Sequence, residues 1–223
     1  MLQILRDIYS DLELANNLGF KGGTALMFFH SLPRFSVDLD FDIINPNQEK
    51  EVQIYQKLKN ILLRYGKIDD EALKFFGPLL VLNYGKGERN LKLEISNRPH
   101  TNKYEVQSFM GINMLVMTIA DMFANKLCAL LGRKELTNRD IFDCWFFMEN
   151  RTPINRTIVE SKMNMPFSDY LQKCIDTLSD VSGKSLLYGM GDLIDEKMKK
   201  FVRTKLCHET IMLLRFYKEF PIV

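Results

Sequence analysis

The sequence predicts two parts: an α/β amino-terminal domain of roughly residues 1–110, and a helical domain of residues 111–223. Three observations favour this division. Residues 35–43 alternate apolar and polar side chains, as a half-buried strand does. Residues 79–84 and 90–96 are strand-like runs on either side of two glycines, which predicts a hairpin. In the second part, apolar side chains recur at helical spacing instead.

The first part is also predicted to contain two helices. Residues 2–17 carry apolar side chains largely on one side, which predicts an amphipathic helix that stops at Gly19. The acidic strand over residues 35–43 is followed by a turn at Asn45–Asn47. Residues 49–65 then repeat apolar side chains at helical spacing.

The second part is predicted to be helical throughout. An apolar stripe indicates a helix over residues 112–131 that ends at Gly132. Thr137 is expected to open the next helix, because the segment from Thr137 to Asp140 fits a capping box. Further helices are predicted over residues 155–162, 166–179 and 192–216, with breaks at Gly183, Gly189 and Gly191.

Composition favours a globular protein of the cytoplasm. Hydrophobic residues make up 46% of the chain, and no leader or apolar run of about 18 residues predicts secretion or a membrane span. The four cysteines are widely spaced without a CxxC pair, so we expect reduced core thiols. No histidine has another ligand type at metal spacing, so a zinc site is not supported.

Charge is nearly balanced, with 30 basic and 28 acidic residues and a net charge of +2. Divided after Met110, the chain has 14 basic and 14 acidic residues in the first part, and 16 and 14 in the second. Neither part is polybasic, so binding to a DNA duplex is not expected. A small folded RNA, which needs only a local basic patch, remains compatible with this balance.

A row of polar side chains follows one face of the predicted strand: Ser36, Asp38, Asp40 and Asp42. Same-face neighbours lie about 7 Å apart, so two carboxylates can lean onto one divalent ion. Mg²⁺, or Mn²⁺ in its place, suits such oxygen ligands. A purely structural row is disfavoured because unpaired carboxylates repel each other. We expect Asp38 and Asp40 to be metal ligands and Asp42 to be an outer-shell or surface acid.

Ahead of this strand, Gly22, Gly23 and Thr24 have the features of a phosphate site. The glycines lack Cβ atoms, so their backbone can approach an anion closely. Thr24 is a good N-cap for a short apolar helix, and a helix N-terminus binds phosphate. Each motif alone is weak evidence, but a Gly-Gly-Thr turn a dozen residues before an acidic strand favours a nucleotide site.

These segments, GGTAL followed by RFSVDLDF, resemble the AbiEii/AbiGii nucleotidyltransferase toxins of type IV toxin–antitoxin and abortive-infection systems. The resemblance recurs in LKLEI near residue 93, in NKLCALLGRKELTNRDIFD from Asn125, and in LLYGMGDLIDEKMKKFV from Leu186. The family is part of the DNA polymerase β-like superfamily. The resemblance therefore implies a mixed sheet carrying the catalytic site, a helical domain after it, and a cognate antitoxin as partner.

The resemblance also implies a third carboxylate on a neighbouring strand, and LKLEI offers Glu94. Its role would be to complete the metal site or to act as base toward an acceptor hydroxyl. From the residues alone, an exposed glutamate paired with Lys92 or Lys103 is an equal alternative.

Lys126 lies on the apolar stripe of the predicted helix, either as a lysine whose ammonium reaches solvent or as a cation aimed at a triphosphate. The resemblance favours the second reading. It also implies a functional aspartate in the RDxxD segment, which is Asp140 or Asp143. Asp140 could be only a cap partner, whereas Asp143 has no such explanation. Arg34, beside the acidic row, is a further candidate to neutralise charge on a nucleotide.

Together these predictions describe transfer of a nucleoside monophosphate from an NTP to an acceptor hydroxyl. The resemblance implies that the acceptor is the 3′ end of a tRNA and that the transfer stops growth. Cations expected at the rim of the RNA site are Arg34, Arg133, Lys134 and Arg139. The alternatives are a protein or small-molecule acceptor, and a module that binds nucleotide without transferring it.

Overall fold

The computed structural model describes residues 1–85, 87–181 and 186–222, so the predicted break at Gly183 and part of the hairpin turn lie outside it. The chain divides into two compact units. The first comprises Met1–Ser31 and Phe35–Met117, and the second comprises Leu32–Arg34 and Thr118–Val223. The chain therefore belongs to the second unit for three residues just before the acidic row, and then returns to the first.

The first unit combines a sheet with four helices. In chain order its elements are α1 (Leu2–Ser10), α2 (Leu12–Asn17), β1 (Leu18–Lys21), α3 (Gly22–His30), β2 (Leu39–Ile43), α4 (Gln48–Leu62), β3 (Lys67–Lys74), β4 (Gly77–Asn83), β5 (Leu91–Ser96), β6 (Tyr104–Phe109) and β7 (Ile112–Met117).

The strands form one seven-stranded sheet in the order β3-β4-β5-β2-β1-β7-β6. The pairs β2–β5 and β1–β7 are parallel, and the other neighbours are antiparallel. The sheet is therefore mixed, and the predicted fold class is confirmed. The predicted hairpin is confirmed as β4 and β5, with Leu79 paired to Glu94.

Apolar side chains of β1 and β2 form the centre of this unit. Phe20 and Phe41 are directly opposite each other, fully buried, with ring centroids 5.3 Å apart. Helix α1 buries Ile4 and Ile8 completely, and it packs on α4 and β7. Burial of this apolar face fixes the register of β2, because a one-residue slip would turn it toward solvent.

The predicted helix over residues 2–17 is two helices. Asp11 has an extended backbone (φ −84°, ψ 116°), and its carboxylate accepts the backbone N–H groups of Glu13 and Leu14 as the cap of α2. The prediction that Gly19 stops a helix is wrong, because Gly19 lies within β1. The acidic strand is also shorter than predicted, since β2 begins only at Leu39.

The prediction of helix from residue 112 is wrong at its start. Ile112, Met114 and Val116 are buried on alternate positions of β7, and helix α5 begins at Ile119. The apolar stripe over residues 112–131 therefore combines the buried side chains of a strand with those of the helix that follows it. Strands β3 and β6 were not predicted. They lie at the two edges of the sheet and are rich in exposed polar side chains, so they lack a clear alternation of apolar and polar residues.

The second unit is helical in its described residues. Its elements are α5 (Ile119–Gly132), α6 (Asn138–Glu149), α7 (Arg156–Met163), α8 (Phe167–Ser179), α9 (Glu196–Thr204) and α10 (Leu206–Glu219). The predicted helices over residues 155–162 and 166–179 correspond to α7 and α8, whereas the one over 192–216 is two helices that meet at Lys205.

Aromatic side chains hold the helices of this unit together. Phe123 of α5 stacks on Phe147 of α6 with ring centroids 4.9 Å apart. The buried Tyr170 hydroxyl donates a 2.8 Å hydrogen bond to the carbonyl of Leu127. The cysteines form no disulfide in the described chain, and three of them are buried, as expected of core thiols. No described helix is long and apolar enough to cross a membrane.

Candidate active site

Two carboxylates predicted as metal ligands lie side by side in the first unit. Asp40 of β2 and Glu94 of β5 are direct partners in the parallel register. Neighbouring strands lie about 4.8 Å apart, and paired residues point to the same face. The two acids, 54 residues apart in sequence, therefore share one place on the sheet.

The Asp40 carboxylate packs against the backbone of Gly22. A Cβ atom on Gly22 would lie 2.2 Å from Oδ2 of Asp40, and Gly22 has φ +81°, a conformation that favours glycine. The glycine thus gives the carboxylate room at the first residue of α3. The close approach predicted for a phosphate is made in this structure by Asp40.

The Thr24 side chain contacts the segment that carries Asp38. The N-cap of α3 is Lys21, so the prediction of Thr24 as N-cap is wrong. Thr24 is fully buried in the first turn, and its hydroxyl donates to the backbone carbonyl of Asp38. This bond ties the irregular segment that carries Asp38 and Ser36 to α3. Both of these residues are half-buried.

Lys92 accompanies the acids. Its Nζ lies 2.5 Å from Oε2 of Glu94, so the predicted alternative of a glutamate paired with Lys92 is observed. Burial acts to lower the pKa of Lys92, but the nearby charges of Glu94, Asp38 and Asp40 outweigh it and raise the pKa. All three acids therefore favour the charged form of the Lys92 side chain. Lys92 was not among the predicted site residues, although its position two residues before Glu94 places both on one face.

The donor set suits a hard divalent cation. Among described residues, no group of three or more His, Cys, Asp and Glu side chains is gathered around one point. Mg²⁺ is commonly held by one or two carboxylates plus substrate phosphates and water, so the adjacent Asp40 and Glu94 meet that requirement. Asp38 lies just outside the strand, two residues before Asp40.

Asp42 is not a surface acid, which was one of the two roles predicted for it. It is 2% exposed, and its carboxylate accepts from Lys21 Nζ at 2.5 Å, Tyr104 hydroxyl at 2.6 Å and Asn102 Nδ2 at 3.1 Å. Burial acts to raise the pKa of Asp42, but Lys21 and the other donors outweigh it and hold the pKa below its usual value. Asp42 is therefore a buried, paired anion.

The second unit contains a buried ionic cluster around Asp143. Arg34 binds this carboxylate through two parallel bonds, Nε to Oδ1 at 2.6 Å and a terminal nitrogen to Oδ2 at 2.7 Å. Lys126 Nζ lies 2.8 Å from Oδ2. Burial acts to raise the pKa of Asp143, but Lys126 and Arg34 outweigh it and lower the pKa. Arg34 is 6% exposed, so it is not the rim cation that was predicted.

Asp140 occupies the capping position predicted for it. The Thr137 hydroxyl donates to its carboxylate at 2.7 Å and accepts from its backbone N–H. Arg133 Nε lies 2.7 Å from Oδ2, and Lys126 Nζ lies 3.3 Å from Oδ1. Lys126 thus lies between Asp140 and Asp143. Its pKa, which burial acts to lower, is raised by these two acids.

The comparison with protein families identifies the chain. The model described as "Nucleotidyl transferase AbiEii toxin, Type IV TA system" matches residues 3–187. The protein is therefore a nucleotidyltransferase. It belongs to the AbiEii family of toxins from type IV toxin–antitoxin systems, which confirms the predicted resemblance. Membership implies an NTP as substrate and an antitoxin as partner.

Solved structures share the fold. A putative nucleotidyltransferase from H. pylori is 20% identical with TM-score 0.59, and the match covers 98% of this chain and 92% of that one. JHP933 from Helicobacter pylori is 20% identical with TM-score 0.57, and the match covers 98% of this chain and 89% of that one. MenT4, a nucleotidyltransferase toxin from Mycobacterium tuberculosis, is 17% identical with TM-score 0.58, and the match covers 96% of this chain and 81% of that one. A search of curated proteins gave no significant match.

Proposed function

We propose that this toxin transfers a nucleoside monophosphate from an NTP to the 3′ end of an RNA, with release of pyrophosphate, in a reaction that depends on Mg²⁺ or Mn²⁺. The observation that carries the metal assignment is the direct pairing of Asp40 with Glu94 on adjacent strands, next to Gly22. Asp38 and Asp40 would be the main ligands, and Glu94 would complete the set or act as base. The bound cation would neutralise charge on the triphosphate oxygens.

The chain's own residues would prepare this site. The first residues of α3, Gly22, Gly23 and Thr24, have backbone N–H groups without intrahelical partners, which favours phosphate binding there. The Thr24 hydroxyl orients the Asp38 segment. Lys92 compensates the acids, and it must release Glu94 before that carboxylate can bind a cation or accept a proton.

The site roles of Lys126, Arg34, Asp140 and Asp143 are also proposals. Their contacts with one another support a structural role within the second unit, where two acids and two cations compensate each other at low exposure. Lys126 remains the proposed group that neutralises charge on the leaving pyrophosphate, as the resemblance implies. Its 18% side-chain exposure fits a cation held ready by its two acids.

A tRNA 3′ end is the proposed acceptor. A single-stranded terminus presents one ribose hydroxyl and few phosphates, so it needs few cations. The near-neutral net charge of +2 agrees with that demand. Lys134 and Arg139 are exposed in the second unit and could serve as such cations.

The test is incubation of purified protein with each labelled NTP, Mg²⁺ or Mn²⁺, and total cellular RNA. Labelled tRNA, lengthened at its 3′ end, is expected from the wild type and not from Asp40→Asn. Glu49→Gln, which neutralises an exposed acid of the same unit, is the matched control and should label normally. Label on a protein or small molecule with unextended tRNA would overturn the acceptor assignment.

A further inference from the structure

Asp42 is the last acid of the polar row, and the proposed chemistry gives it no role. Its carboxylate is fully enclosed by donors from three places in the first unit: Lys21 at the end of β1, Tyr104 of β6 and Asn102 just before it. Charge-assisted bonds of this kind are about twice as strong as neutral ones.

The backbone is shaped to admit this network. Gly19 is the direct cross-strand partner of Asp42, and a Cβ atom there would lie 2.1 Å from Cε1 of the Tyr104 ring. The ring therefore occupies the space of the missing side chain, which brings the phenol to Asp42. Glycine weakens a strand interior, and it often marks a place where another group approaches the backbone closely. Gly19 fits that description, because the Tyr104 ring lies against it.

Lys21 is placed to interfere with the proposed metal site. Its direct cross-strand partner is Asp40, and opposite residues of an antiparallel pair point to the same face within reach of each other. A lysine opposite an aspartate would normally pair with it. Here the ammonium, 27% exposed, lies instead 2.5 Å from Asp42, which is diagonal to it.

We propose that Asp42 is a positioning residue that holds the Lys21 ammonium away from Asp40, so that Lys21 does not compete with a divalent cation for that carboxylate. The inference rests on the metal site of the proposed function. It explains why an acid two residues beyond Asp40 is buried and paired and does not point to solvent.

The competition has a measurable size. Without the Asp42 charge, Lys21 is free to turn to the neighbouring anion. A partly exposed lysine–carboxylate pair is worth up to about 1 kcal/mol, which a cation must overcome to bind Asp40. Affinity should therefore fall about fivefold at a given ionic strength.

The experiment measures Mn²⁺ binding to the full chain, without nucleotide, from the loss of the free-ion EPR signal. Asp42→Asn keeps the shape and still accepts from Tyr104, and we expect it to bind Mn²⁺ about fivefold more weakly than wild type. Adding Lys21→Met should restore the affinity to within about twofold of wild type, because the competing ammonium is gone. The matched control adds Lys57→Met, a lysine of α4 paired with Asp11 and Glu13, and should restore nothing.

The outcomes separate the two proposals. If wild type binds no Mn²⁺ while Asp40→Asn behaves identically, the metal site itself fails, and this inference fails with it. If wild type binds but Asp42→Asn binds equally well, or if Lys57→Met rescues as fully as Lys21→Met, only the positioning role of Asp42 is overturned.

A further variant guards against a general loss of structure. Tyr104→Phe removes one neutral donor but leaves Lys21 paired with Asp42, so it should lower the melting temperature without weakening Mn²⁺ binding. If Tyr104→Phe weakens Mn²⁺ binding as much as Asp42→Asn does, then any damage to the network weakens the metal site. That result would overturn the specific role of Lys21. If Asp42→Asn does not fold, Asp42→Ser with and without Lys21→Met poses the same question.

Discussion

Removing the charge of Asp143 tests whether the ionic cluster of the second unit is structural. Asp143→Asn preserves the shape of the side chain but removes the carboxylate charge to which the guanidinium of Arg34 makes two bonds. The two side chains are 3% and 0% exposed, so water cannot replace the lost charge without structural change. Lys126 loses one of its two acids in the same substitution.

The magnitude follows from this burial. Breaking a buried ion pair by removing one partner costs about 3–5 kcal/mol, because the remaining charge is left uncompensated. For a chain of about 150–250 residues, each kcal/mol lowers the melting temperature by about 2–4 °C. We therefore expect Asp143→Asn to melt about 6–20 °C below wild type.

Thermal and urea unfolding, followed by circular dichroism, measure this difference. Asp176→Asn is the control, since Asp176 is an exposed acid of α8 in the same unit, and it should stay within about 0.5 kcal/mol of wild type. A loss of less than about 1 kcal/mol in Asp143→Asn would refute the view that this cluster stabilises the unit.

The stability that the ionised Asp143 carboxylate contributes should depend on pH. The pKa of Asp143 is lower folded than unfolded, so its contribution is fully present above the unfolded value of about 4 and is lost as pH falls through the folded pKa. The gap in unfolding free energy between wild type and Asp143→Asn should be constant from about pH 5 to 8 and shrink below about pH 4. A gap that persists unchanged at pH 3 would contradict the ionic explanation.

Three other substitutions have distinct expected results. Asp40→Asn should reduce NTP incorporation by orders of magnitude while the melting temperature holds or rises, because repulsion among the acids is relieved. Gly22→Ala places a Cβ against Asp40 at an unfavourable φ, so roughly 1–3 kcal/mol of stability and most Mn²⁺ affinity should be lost, as urea melts and EPR titration would show. Lys126→Met should lose NTP incorporation, because it removes the cation proposed to neutralise the leaving pyrophosphate. It should also lose about 1–3 kcal/mol of stability, because its bonds to two buried acids are removed, and silent behaviour in both assays would reject both roles.

Sequence periodicity was sufficient for the centre of the first unit. Alternation in residues 39–43 and 91–96 correctly assigned the strands and the faces of Asp40 and Glu94, because one apolar face of each strand is buried. That β5 lies beside β2 is a long-range choice which no local pattern encodes, and it came from the resemblance. The charged edge strand β3 has no buried alternation to detect.

The ionic contacts were less predictable, because they depend on pairs distant in sequence. Arg34 and Asp143 are 109 residues apart, and neither carries a local mark of its partner. Asp42 shares the alternating row with Asp38 and Asp40, and nothing in that pattern predicts that it is buried. The reason for its burial lies in the sheet, where Gly19 is its partner on β1 and the Tyr104 ring of β6 covers that glycine and reaches Asp42.

The three residues Leu32–Arg34 have a consequence for the synthesis of the toxin. They belong to the second unit but leave the ribosome before most of the first, and Arg34 must wait for 109 further residues before Asp143 appears. At about 5–20 residues per second this delay is roughly 5–20 s. A chain released early, at residue 110 for example, would also lack β7, the strand that joins β1 to β6. Interrupted translation should therefore yield an amino-terminal fragment whose sheet ends at β1 and whose β6 segment has lost the strand it pairs with.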